Sequence, residues 1–184
     1  MPGFTIHIAI AKRYIEKHKL EVGNEEEFIK GVIAPDMNES LDKIISDKSK
    51  THYGDWDNYD LVPNIEEFLK DSKNDRKNDY WKGYFIHLLT DYYFYNKYFE
   101  KENRELEKNN ERFYSDYNYL NKFLIEKYGI QALKNIEKYM EIYEGKPKYL
   151  KVDKIIDFIE EISNMNIQDK IETIEQNGMK GLEG

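Results

Sequence analysis

The chain has no cysteine, which removes disulfides, thiolate nucleophiles and cysteine-bound zinc together, so any metal it holds is held by nitrogen and oxygen. Arginine is scarce: Arg13, Arg76, Arg104 and Arg112 are the only four, few forks for bidentate phosphate recognition. Basic residues are also outnumbered, 28 against 36 acidic ones for a net charge of −8. Extended nucleic-acid binding draws its affinity from clustered Lys and Arg, and that balance speaks against it. No apolar run approaches the ~18 uninterrupted residues of a membrane span. The opening MPGFTIHIAIAKRYIEKHKL meets charge within a dozen positions and has no small-residue cleavage site; it reads as the start of a cytoplasmic protein.

Proline and glycine are sparse as well, 4 and 10 in 184 residues, and the segments between them repeat with a period near 3.6 rather than 2. The expectation is an all-α protein folded as one domain over 1–184. The charged content of 35% is offset by 15% aromatic residues, large apolar groups able to build a core. The patterns predict helices at about 5–19, 25–30 and 64–73, then a long one from Asn78 or Asp79 to about 100. Trp81, Phe85, Leu88, Tyr92, Tyr95 and Phe99 recur along this last helix at helical spacing, and Ile86 and Leu89 widen the apolar surface, as in a buried helix. Residues 36–63 read as irregular, with a possible turn of helix at Leu41 to Ile45, and 101–112 as a charged loop. A helical C-terminal half over 113–177 is expected, with helices at 113–128, 130–143, 151–163 and 167–176.

Histidine occurs at four positions only, 7, 18, 52 and 87. His87 and Asp91 stand four residues apart on the long helix, on one face and about 6 Å apart along its axis, a spacing at which both can reach one metal ion. His7 lies in the first turns of an apolar helix, Asp36 follows the turn Gly31-Val32-Ile33-Ala34-Pro35, and His52 sits in Thr51-His52-Tyr53-Gly54. Each has an ordinary structural explanation in isolation: a core histidine on a carbonyl, an Asx-turn, a surface loop residue. His18 shares a helix face with His7 but lies ~16 Å along the axis, too far to share an ion.

Taken in order, the segments MPGFTIHIAIA, GVIAPD, THYG and GYFIHLLTD resemble the bacterial zinc-dependent phospholipase C family, itself similar to the zinc-dependent single-strand nucleases. The resemblance covers about residues 1–95. It implies that His7, Asp36, His52, His87 and Asp91 are metal ligands, that Asp91 bridges two ions, and that Asp36 doubles as a catalytic base. It further implies hydrolysis of a phosphoester, soluble or lipid-derived, by metal-bound hydroxide attacking phosphorus. Secreted relatives add a further zinc site from later histidines, whereas this chain has none beyond 87 and carries Lys97 near one such position. One or two zinc ions are therefore expected, with Mn²⁺ or Mg²⁺ possible at the second position and Asp116 as a candidate ligand there. Tyr53, Tyr84 and Tyr92 would flank the site.

Two other readings stand beside this one. The helical HD-type phosphohydrolases need an adjacent His-Asp doublet, and no histidine here is followed by aspartate. A non-catalytic relative would keep the fold and a structural metal while lacking turnover. The sequence carries no signal for oligomeric state.

Overall fold

Four asparagines set where helices begin. The side-chain oxygens of Asn24, Asn64 and Asn166 accept from the backbone N–H three residues on, and that of Asn78 from the N–H two residues on. Each satisfies a donor that the first helical turn leaves over, a contribution of about 1 kcal/mol. In the computed structural model, residues 3–37, 48–54, 62–98, 112–131, 133 and 137–183 are described. They form α1 (Phe4–Lys17), α2 (Glu25–Ile33), α3 (Lys48–His52), α4 (Ile65–Asp71), α5 (Asp79–Tyr93), α6 (Arg112–Tyr128), α7 (Val152–Ser163) and α8 (Ile167–Asn177). No strand occurs among the described residues, so the all-α expectation holds, and no helix is long and apolar enough to cross a membrane.

Three elements depart from the periodicity. The helix expected at 130–143 is absent as such: among its described residues only Glu137–Tyr139 form a 3₁₀ turn. Asn121 Nδ2 bonds the carbonyls of Tyr139 and Glu141, and Asn118 O takes the Tyr143 N–H, so groups a helix would pair internally are satisfied from α6 instead. The segment around His52 is helical rather than irregular, a short α3 ended by Tyr53 in the left-handed region at φ 54°. The long helix is regular only to Tyr93 and passes into a π turn over Phe94–Tyr98. Leu41 to Ile45 and 101–111 lie outside the described residues.

The centre of the fold is the crossing of α2 and α5, where two glycines let backbones touch. A Cβ on Gly31 would stand 1.9 Å from Tyr80 O, and one on Gly83 would stand 2.0 Å from Phe28 O. Neither neighbour is a side chain that can swing away. Gly83→Ala should therefore destabilise the protein by about 3 kcal/mol, at the upper end of overpacking costs, read as a lower urea midpoint at unchanged slope; an unaltered midpoint would contradict this close approach. Around the crossing, Phe68 stacks on Trp81, Tyr84 and Phe85, and Trp81 Nε1 donates to Ser72 Oγ at 2.7 Å. α5 is buried on every side, as its pattern predicts.

α1 is buried from Phe4 to Ala11, and Glu160 fixes it against α7. Its carboxylate accepts from Arg13 Nε and Nη2 at 2.8 and 3.0 Å and from Lys17 Nζ at 2.8 Å. The Arg13 fork above all, with Lys17 beside it, holds the Glu160 carboxyl down at about 2 against the desolvation that would raise it.

Candidate metal centre

The packing of α1, α2 and α5 brings the end of α2 and the first turns of α1 onto the middle of α5. His7 comes from α1, Asp36 from the turn that follows α2, His52 from the last position of α3, and His87 and Asp91 from successive turns of α5. Residues 84 positions apart in sequence thus meet, as the resemblance implies. All five are sealed from solvent or nearly so: the side chains of His87 and Asp91 are fully buried, those of His7 and His52 are 1% exposed, and that of Asp36 is 6% exposed.

The donor atoms stand at the spacing of a coordination shell. Asp36 Oδ1 is 3.1 Å from His52 Nε2 and 3.9 Å from His87 Nε2. The two Nε2 atoms are 3.3 Å apart, and Asp91 Oδ2 lies 3.7 and 3.3 Å from them. A tetrahedron with zinc–ligand bonds of 2.0–2.2 Å has edges of about 3.3–3.6 Å, and His52, His87 and Asp91, whose donor atoms all lie within 4.8 Å of one another, form one group able to hold a divalent ion. The second oxygens of both carboxylates turn to a different partner: Asp91 Oδ1 lies 3.3 Å and Asp36 Oδ2 3.9 Å from His7 Nε2. His7, Asp36 and His87 form a second three-donor group, which overlaps the first at His87.

The hydrogen bonds around the cluster fix which nitrogens carry lone pairs. His87 Nδ1 is 2.6 Å from Val32 O; a carbonyl only accepts, so Nδ1 bears the proton and Nε2 the lone pair. Thr51 donates its hydroxyl proton to Pro35 O at 3.0 Å, which leaves the Thr51 oxygen to accept from His52 Nδ1, also 3.0 Å away. His52 Nε2 is then the nitrogen turned to the cluster, 3.1 Å from Asp36 Oδ1 and 3.3 Å from His87 Nε2, contacts satisfied by protons in the metal-free protein and by a cation when one is bound. Both Asp91 oxygens and both His7 ring nitrogens are buried without an aligned hydrogen-bond partner, and groups of this kind carry a desolvation cost that a bound ion relieves.

Electrostatics describe the same demand. Burial and the neighbouring His87 lower the pKa of His7. Burial opposes charge on His87 as well, but Asp91 and Asp36 outweigh it and its pKa is raised. Burial likewise opposes ionisation of Asp36 and Asp91, yet the surrounding histidines, His87 foremost, hold both well below the usual carboxylate range. Metal-free, the cluster keeps two anions and gathers a proton on His87; with metal, that proton must leave. Metal should accordingly be shed as pH falls below about 6, monitored by metal retained after dialysis across pH 4–8. Full retention at pH 4 would speak against histidine ligation.

Other residues singled out in the sequence are placed elsewhere. Asp116 stands in neither donor group: it is 1% exposed, and its two oxygens accept from the backbone N–H groups of Lys148, Tyr149 and Leu150 at 2.6–2.9 Å. The helical position that suggested a hairpin return is instead an anchor for the 148–150 turn. His18 Nε2 contacts Ser163 O at 3.0 Å, away from the cluster as expected. Lys97 pairs with Glu161 at 2.6 Å. Tyr84 donates to Thr51 O at 2.5 Å, and Tyr92 OH reaches Met179 O. The amino-acid order assigns no role to Thr51 or to the Val32 carbonyl, which orient two of the histidines; a threonine directly before a histidine is the one local signal for the former.

No family model, curated protein or solved structure matches the chain.

Proposed function

We propose that the protein is a metal-dependent phosphoester hydrolase, with zinc as the ion that suits three imidazoles and two carboxylates. The observation that carries the reading is the buried meeting of two overlapping three-donor groups, His52–His87–Asp91 and His7–Asp36–His87. Closed four-ligand sites are structural, whereas three-ligand sites keep a place for water or substrate. His7, which belongs to the second group alone, is the residue that separates a two-ion centre from a one-ion one.

Charge supports two ions. The two aspartates offset a single divalent ion, which leaves nothing to attract a phosphate; a second ion leaves the centre positive by two. A divalent ion at the second group would supply an activated water at neutral pH and Lewis acidity toward a phosphoryl oxygen. The chain's own part is to hold and orient. Asp91 faces His52 and His87 with one oxygen and His7 with the other, and His87 and His52 are locked by their Nδ1 donors. Asp36 is the most exposed of the five side chains, at 6%, and its ionised carboxylate is an acceptor for the proton of an incoming water, the place assigned to the catalytic base. The substrate class is a phosphoester, either soluble or lipid-derived, with the second position tolerating Mn²⁺ or Mg²⁺ as well as zinc.

The depth of the cluster favours a second reading, a non-catalytic fold that retains one structural ion. Turnover of aryl phosphomonoester and phosphodiester substrates with added Zn²⁺ or Mn²⁺ separates the two. A hydrolase should show turnover that His7→Ala abolishes while one tightly held ion remains. Bound metal without turnover in the parent protein would leave the structural reading standing.

A further inference from the structure

Thr51 lies against three of the elements that carry ligands, although it offers no donor to the centre. It is fully buried. Its hydroxyl proton goes to the carbonyl of Pro35, the residue immediately before Asp36, and its oxygen faces the ring of the adjacent His52, both at 3.0 Å. Its own carbonyl accepts from Tyr84 OH at 2.5 Å, and Tyr84 precedes His87 by three residues, about one turn of α5. The short α3 has five residues, too few to hold a position by itself. Thr51 ties it to both the α2 turn and α5.

We propose that Thr51 is the positioning residue of the metal centre: it fixes the His52 tautomer so that Nε2, the nitrogen that faces Asp36 and His87, is the metal-binding one, and it sets the spacing between Asp36 and His52, an inference that rests on the metal-centre reading above. The chemistry is that of an outer-shell acceptor. A ligating imidazole binds through one nitrogen and needs a partner for the other N–H, and loss of such a partner weakens metal affinity about 10- to 100-fold. Valine has the shape of threonine but neither accepts from His52 Nδ1 nor donates to Pro35 O. Serine does both. The carbonyl of Val32 performs the matching task for His87, but a backbone group cannot be removed by substitution, so Thr51 is where the device is open to test.

The experiment is a Zn²⁺ competition titration against a chromophoric chelator for the parent protein, Thr51→Val and Thr51→Ser, with visible spectra of the Co²⁺-loaded forms. Thr51→Val should weaken zinc about 10- to 100-fold and alter the Co²⁺ bands, while Thr51→Ser should restore both. A residue that only stabilises the fold would shift melting without changing the Co²⁺ spectrum of the folded fraction. Ring ¹⁵N shifts of His52 in the zinc-loaded parent give a readout that needs no variant to fold: Nδ1 should be protonated and Nε2 metal-bound. Thr51→Val binding zinc as tightly as the parent, or His52 coordinating through Nδ1, overturns the role of Thr51 and leaves the centre intact. A parent protein that binds no metal overturns the metal-centre reading and this role with it.

Discussion

Asp91→Asn should cost the centre its tightest metal binding. Asp91 gives one oxygen to the group with His52 and His87 and turns the other to His7, and asparagine keeps the shape while removing the charge and one of the two oxygens. Loss of an outer-shell partner alone costs 10- to 100-fold in affinity, so removal of a direct anionic donor should cost at least about 100-fold, roughly 2.8 kcal/mol. Zinc competition titration reads this directly. A second signature belongs to the metal-free protein. Asp91 is the foremost of the groups that offset burial and raise His87, so without its charge the His87 imidazole should titrate at lower pH in the variant, as followed by NMR. His18→Ala provides the control, with both readouts unchanged. Metal affinity within threefold of the parent in Asp91→Asn would show that the buried carboxylate is no ligand.

Much of this centre is legible in the amino-acid order because its determinants are local. His87 and Asp91 are one helical turn apart, and Asp36 follows a proline-ended turn, so both can be singled out before any contact is known. Convergence with His7 and His52 is not local. It depends on Gly31 and Gly83, whose positions in the sequence name no partner helix but which allow the α2–α5 backbones to touch. Asp116 illustrates the opposite failure. An aspartate in a first helical turn offers the same pattern whether it serves a metal or three backbone N–H groups from a turn over thirty residues on, and only tertiary structure decides. The segment 130–143 misleads for a related reason. Its apolar spacing suits a helix, but Asn118 and Asn121 on α6 bond its backbone, and tertiary hydrogen bonds outweigh a marginal propensity.

Removal of metal should lower the melting temperature by about 8–16 °C. Free zinc at a thousand times its dissociation constant adds about 4 kcal/mol to a fold that binds it only when native, and each kcal/mol moves the midpoint of a chain of this length by about 2–4 °C. The sign of the pH dependence is opposite in the two forms. His87 has a raised folded pKa, so in the metal-free protein its contribution is complete below about 6.5 and fades as pH rises through the higher folded value. The metal-bound protein requires neutral imidazoles, so its advantage grows over that same interval. The difference between zinc-loaded and chelated samples should therefore widen from pH 6 to pH 8 in scanning calorimetry. A melting temperature indifferent to chelation at both pH values would mean that the facing ring nitrogens of His52 and His87 and the two buried aspartates are balanced by protons alone, and that no ion belongs between them.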